Sequence, residues 1–217
     1  MSGFTFSTFL NLAVYVVVCW VLHVEGRHVK RACKSSEIDI MTSTGAKIEP
    51  WTLSRVQLPR LSKTFSSDGH KLSFEFKTTS QSGLLFYGTM RNRRASKLIV
   101  LQLVRGKLFY TTRCPSADSG LLLPTPYRLD DGKWHTVEFR REGRKGYIIL
   151  DNQPYFKTYP VTCKLTSFVF GGLEPVDAAS VLPLLRTSTH FDGCIRNLSL
   201  NIDHGLAPRY YAVSICS

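Results

Sequence analysis

The sequence predicts an all-β protein, a two-sheet antiparallel jelly-roll sandwich. Three observations carry that expectation. Apolar and polar residues alternate with period two over several runs of strand length. Those runs are separated by Gly, Pro, Asn and Asp turns. Beyond the first two dozen residues, no stretch sustains a helical period over three turns.

The elements follow in chain order. Up to about Pro59 the segment after Cys33 has little periodicity and is punctuated by Gly45, Pro50 and Pro59. From Lys71 the residues Leu72, Phe74 and Phe76 alternate with Ser73, Glu75 and Lys77, which gives a strand with one apolar face. Gly83 to Gly88 is a short apolar run bounded by glycines, and Lys97 to Val104 reads as a strand buried on both faces. Arg105-Gly106 turns the chain into Lys107 to Thr112, a hairpin. A second hairpin is expected from Trp134–Phe139, through a polar turn at Arg140 to Gly146, into Tyr147–Leu150. Later strands are expected at Ser167–Phe170, at Ile195–Leu200 and within Tyr210–Ile215.

The chain of 217 residues opens on an apolar stretch, Phe9 to Val24, closed by Glu25-Gly26-Arg27. This reads as a secretory signal over residues 1–26. It lacks Lys or Arg before its apolar core, and the run from Phe4 approaches the ~20 residues that span a bilayer, so an anchor is the competing reading. Arg27, Lys30 and Arg31 on its distal flank would orient an anchored chain towards the cytosol. The five later cysteines call instead for an oxidising compartment, and a cleaved signal satisfies both facts. Secretion and no stable membrane insertion after cleavage are therefore expected. Lys30-Arg31 is also a dibasic site where further processing to residue 31 and a plain solvated segment are equally compatible readings. The remainder, about 185 to 190 residues, suits one folded domain. Its expected boundaries are an irregular segment over 27–50 and the domain proper over 51–217.

Lys and Arg number 28 against 16 Asp and Glu, a net charge of +12. Removing residues 1–31 takes away Arg27, Lys30, Arg31 and Glu25 and leaves the surplus at +10. Outside a cell such a surplus points to polyanions, sulfated glycans above all, and nucleic acid is a poor partner. Two clusters concentrate it: Arg91, Arg93, Arg94 and Lys97, and Arg140, Arg141, Arg144 and Lys145. Guanidinium forks grip sulfates bidentately, and several together act through counterion release. Two ordinary solvated turns would have the same letters.

Phe74–Thr78, Gly83–Gly88, Leu98–Leu103, Gly106–Tyr110, Leu129–Val137 with its Asp-Asp-Gly-Lys-Trp-His, Phe170-Gly-Gly172 and Phe191-Asp-Gly-Cys-Ile-Arg-Asn-Leu198 occur in that order. Together they resemble the laminin G domain family over residues 51 to 216, a family with a concanavalin-like sandwich. Trp134 at the start of its strand is expected to bury its ring. His135 reads as structural, because no base-and-orienter set accompanies it.

The resemblance implies a disulfide between Cys194 and Cys216, which would stabilise the fold by about 3 kcal/mol. Cys33, Cys114 and Cys163 cannot all pair internally. The preferred arrangement joins Cys114 to Cys163 and leaves Cys33 for an intermolecular bond, and so for a disulfide dimer; Cys19 lies in the leader. Many relatives bind calcium through an Asp just before the strand that here begins at Leu98. Lys97 occupies that position behind three arginines, where hard oxygen ligands would be needed. No metal and no other cofactor is therefore expected. Asn197-Leu-Ser199 is the one usable glycosylation sequon after the leader.

A secreted adhesion or binding module follows, recognising a sulfated glycosaminoglycan or a cell-surface protein receptor without calcium. An enzyme is not expected: glycoside hydrolysis needs two carboxylates facing a cleft, and Asp130, Asp131 and Asp151 sit at turns. Two alternatives stay open. One is a carrier holding an apolar ligand between the sheets, as hormone-binding-globulin relatives do, lined by Leu121–Leu123 and Phe168–Phe170. The other is a diffusible receptor ligand with no glycan binding.

Overall fold

The computed structural model describes residues 38–216 apart from 51–52, 62–64, 66–68, 91–96, 114–117, 143–144, 159–163, 188–189, 203–204 and 206. Fourteen strands run through them: β1 Ala46–Ile48, β2 Arg55–Leu58, β3 Lys71–Lys77, β4 Gly83–Met90, β5 Lys97–Val104, β6 Lys107–Arg113, β7 Asp118–Leu122, β8 Trp134–Glu142, β9 Lys145–Leu150, β10 Gln153–Thr158, β11 Ser167–Phe170, β12 Gly193–Leu200, β13 Arg209–Tyr211 and β14 Val213–Ser214. The first sheet has the order β10-β9-β8-β3-β12-β1-β14, and the second β13-β2-β11-β4-β5-β6-β7. Every pairing is antiparallel. The expected two-sheet sandwich is what the chain forms.

Period two explains the core. Leu72, Phe74 and Phe76 of β3 and Val137 and Phe139 of β8 point inward and are buried. They meet Phe86 and Phe170 from the other sheet: Phe74 lies 5.6 Å from each, edge to face. β5 is buried on both faces, as its sequence requires. Ile99, Leu101 and Leu103 join the main core. Leu98 and Val100 join a second cluster with Tyr87, Val169, Val181 and Leu184. That cluster lies under a short helical segment, Pro175 to Leu184, laid across the second sheet.

Three local features differ from the sequence reading. Residues 38–50, expected to be irregular, enter the core: Ile40, Ala46 and Ile48 are fully buried and β1 pairs with β12 and β14. The expected turn from Arg140 to Gly146 is mostly strand. β8 and β9 stay paired through Arg140↔Tyr147, Arg141↔Gly146 and Glu142↔Lys145, and the guanidinium of Arg140 stacks on Tyr147 at 5.2 Å. Trp134 points outward, and it is His135 that the alternation buries, on the same face as Val137 and Phe139.

Candidate functional site

Strand direction determines which loops share an end of the sandwich. β3 runs from Lys71 to Lys77, and β4 returns after a five-residue connection, so Met90 lies at the end where β3 starts. The register Lys71↔Arg140 places the end of β8 there too, and Ser167↔Thr89 does the same for β11. Phe65 joins the two sheets at this end, 5.9 Å from Phe139 and 5.4 Å from Phe168. The connection between β4 and β5 and the turn between β8 and β9 therefore leave the same pole. These are the two segments that hold the predicted basic clusters. Arg113, paired with Leu98, ends β6 at this pole as well.

Of the predicted glycan contacts, Arg91, Arg93, Arg94 and Arg144 lie outside the described residues. Lys97 opens β5 opposite Met90, and in the β8–β9 ladder Arg141 pairs with Gly146 and Lys145 with Glu142. Arg140 is half-buried on the outer face, 3.4 Å from Glu142. Lys71, opposite Arg140 on the neighbouring strand β3, pairs with Glu138 at 2.6 Å.

At the opposite pole several cations meet carboxylates. Arg128 donates two hydrogen bonds to Asp130, at 2.9 and 2.6 Å, which hold the Asp130 carboxyl below its usual range. Lys47 pairs with Asp192. His135 lies between two carboxylates, its Nδ1 2.8 Å from Asp151 and its Nε2 3.0 Å from Asp131. Asp131 is held below its ordinary range first by the Lys133 backbone N–H and then by His135. Asp151 also accepts from the Thr136 backbone and from Tyr127. Every hydrogen-bonding group of this set is directed at another member. It anchors the β8 entry turn, and it gives His135 a carboxylate on each ring nitrogen where the sequence suggested no accompanying partners.

On the outer face beside that turn, Trp134 carries the Arg196 guanidinium 3.8 Å above its ring. Arg196 and Asn197 both donate to Glu75, at 2.7 and 2.9 Å. Burial raises the Glu75 pKa, but these two donors outweigh it and leave the carboxyl below its usual value. Asn197 occupies a bulge in β12 at φ 51.

A disulfide joins Cys194 to Cys216 with 5.7 Å between their Cα atoms. Cys33, Cys114 and Cys163 lie outside the described residues. Among the described residues no His, Cys, Asp and Glu group could hold a metal ion, and no helix is long and apolar enough to cross a membrane. Phe168 and Phe170, named for an apolar ligand pocket, are packed against Phe65, Phe74 and Phe86. Val169 faces the opposite side, in the cluster under the helical segment.

This is a sandwich whose polar chemistry lies on its poles and outer faces, the arrangement of a binding module. The chain belongs to the laminin G domain family, whose model matches residues 76–203. It is 28% identical over 160 residues to a laminin subunit alpha of Drosophila melanogaster, covering 68% of this chain and 4% of that one. It is 28% identical over 161 residues to human sex hormone-binding globulin, covering 71% of this chain and 37% of the relative. Among solved structures, domains LG4-5 of the mouse laminin alpha1 chain superpose with a TM-score of 0.66 at 24% identity, covering 81% of this chain and 47% of that chain. The chain thus spans only a small part of the curated relatives it matches, which are matrix and secreted proteins.

Proposed function

We propose that this chain is a secreted module that binds sulfated glycosaminoglycan, without calcium, through the pole from which the β4–β5 connection and the β8–β9 turn emerge. One observation carries the reading. Strand topology brings two arginine-rich segments, some fifty residues apart in sequence, to the same end of the sandwich. At the opposite end Lys47, Arg128 and Lys133 lie beside Asp192, Asp130 and Asp131. Arginines gathered at one end would present a face to a polyanion.

Calcium independence is supported by Lys97 at the first position of β5, with Arg91, Arg93 and Arg94 before it. Calcium there would meet ammonium and guanidinium groups where it needs carboxylates. Three further assignments belong to the same proposal. Asn197 carries the glycan of its sequon. Cys114 pairs with Cys163, since β6 and β10 both run towards the basic pole. Cys33 is left to bridge two copies.

The test is capture from cell-surface extracts by the secreted protein, repeated after heparinase digestion and in the presence of a chelator. The proposal expects capture to be lost with heparinase and untouched by chelation. Capture that survives heparinase would assign the surface to a protein receptor instead, and capture lost on chelation would contradict the calcium-free mechanism.

A further inference from the structure

The helical segment laid across the second sheet is short and firmly held. The Tyr87 hydroxyl accepts from the Glu174 backbone N–H at 3.1 Å and donates to Asp177 at 2.9 Å. Arg113 donates to the Ser180 carbonyl at 3.5 Å. The fully buried Gln102 side chain accepts from the Arg186 backbone N–H at 2.8 Å and donates to the Thr187 carbonyl at 3.2 Å. Asp177 and Val181 turn inward, and Val181 joins the apolar cluster below.

These anchors leave an apolar ridge outside. Pro175, Val176, Ala179, Leu182 and Pro183 are all exposed, Val176 at 65% and Leu182 at 50%. None of them is polar, in a chain with a net charge of +12. Single exposed apolar residues are ordinary, but five along one ridge mark an interaction surface.

The order of the five points to the occupant. Counted from Ala179, the exposed positions fall three and four residues to either side, and the buried Asp177 and Val181 fall two to either side. Half-buried Ala178 and Ser180 flank the centre. Proline answers proline, and Val176 answers Leu182. The ridge thus reads nearly the same in both directions, which is what a two-fold contact between identical surfaces requires. At the centre Ala179 carries only a methyl group, so two ridges can cross there with their backbones close.

The charges beyond the ridge fit the same arrangement. Glu174 precedes it and Arg186 follows it. Arg186 is exposed, with its guanidinium over the Phe109 ring at 5.1 Å. In an antiparallel crossing Glu174 of one copy approaches Arg186 of the other, once at each end. A lipid surface would make no use of that match.

We propose that this ridge is a contact between two copies of the chain, crossing antiparallel at Ala179 with Glu174 and Arg186 paired at both ends. The nine residues from Pro175 to Pro183 fall short of the ~800 Å² per partner of a standard interface, so the dimer is weak, with a Kd on the order of 100 µM. It needs neither a glycan nor an intermolecular disulfide.

Sedimentation velocity of the full chain with Cys33→Ser, at physiological salt and from about 10 µM to about 1 mM, brackets that Kd. The sedimentation coefficient is expected to rise with concentration towards that of a dimer. Ala179→Glu, at an exposed position, should keep the protein monomeric throughout. Ile215→Glu, an equally exposed apolar position after β14 on the other sheet, should dimerise as its parent does. Glu174→Arg and Arg186→Glu should each weaken association about tenfold, and the two together should restore it. Unchanged thermal unfolding of each variant confirms that its fold is intact. A monomer at every concentration would overturn the proposal, as would a dimer indifferent to Ala179→Glu. Failure of the double reversal to restore association would overturn the antiparallel pairing. Binding of a monomeric parent to neutral phosphatidylcholine vesicles, lost in Ala179→Glu, would assign the ridge to a lipid surface instead.

Discussion

His135 shows how a single side chain can organise a turn. With its imidazole between Asp131 and Asp151, it links the residues before β8 to the corner between β9 and β10. Replacing it with Leu leaves two carboxylates facing a buried apolar group, so His135→Leu should destabilise by about 2 kcal/mol. The check is a lower urea midpoint with an unchanged slope; a loss well under 1 kcal/mol would make the histidine incidental. Tyr210 makes a comparable tie, accepting from the Ile40 N–H and donating to Asp39, each at 3.1 Å. Burial, with the Asp39 charge beside it, pushes the phenol up to about 12 from 10.0. A folded value above the unfolded one makes its contribution whole below pH 10.0 and lost as the pH rises through about 12. Tyr210→Phe should lack that part of the alkaline decline; identical pH profiles for the two proteins would refute it. At this scale sequence reading reached residue types better than orientations. It expected the ring of Trp134 inside, where the alternation buries His135 instead.

Elements with several alternating residues were legible, and short ones were not. β3, β5, β6 and β11 stand close to where their patterns place them. β1 has three residues and β2 four, below the length at which alternation differs from chance. β10 contains Pro154, which lowers its apparent strand character yet is tolerated on the outermost strand of the first sheet. The glycine pair after β11 was legible as a motif, and the structure supplies its reason. Gly171 adopts φ 82, and a Cβ there would lie 2.6 Å from the Ile48 side chain. Gly171→Ala should therefore cost about 2 kcal/mol or more, from backbone strain and overpacking together. Thermal unfolding measures it, and a change within 0.5 kcal/mol would show that β1 gives way freely. The disulfide belongs to the same scale. Cys194 and Cys216 close a loop of separation 22 around β13 and β14. Its removal in a Cys194→Ser, Cys216→Ser protein should cost about 3 kcal/mol and release β14 first, seen as faster amide exchange at Val213 and Ser214 than at Tyr110. Uniform exchange would contradict that order.

Charge acts at the scale of the whole molecule, where the sequence gives the surplus but not its placement. The basic clusters were visible as letters. That the strands flanking them end at one pole follows only from strand direction and cross-strand register, which pair residues far apart in the chain. The opposite pole was less legible still, since Lys47 with Asp192 spans 145 positions. The proposed function needs no calcium at this pole. Saturating calcium should therefore raise the melting temperature no more than magnesium does, and a calcium-specific rise would restore a metal site at the start of β5. The most direct measurement is the salt dependence of heparin affinity for three proteins: the native chain, one with Arg91, Arg93 and Arg94 changed to Ala, and one with Arg105, Arg128 and Lys133 changed to Ala at the opposite pole. The two variants lose equal charge. A polyanion held at the basic pole predicts that the first variant loses about 2 to 3 units of slope in log affinity against log salt, while the second keeps the native slope. Equal losses in both variants would show that heparin responds to net charge alone, and the basic pole would then be no binding site.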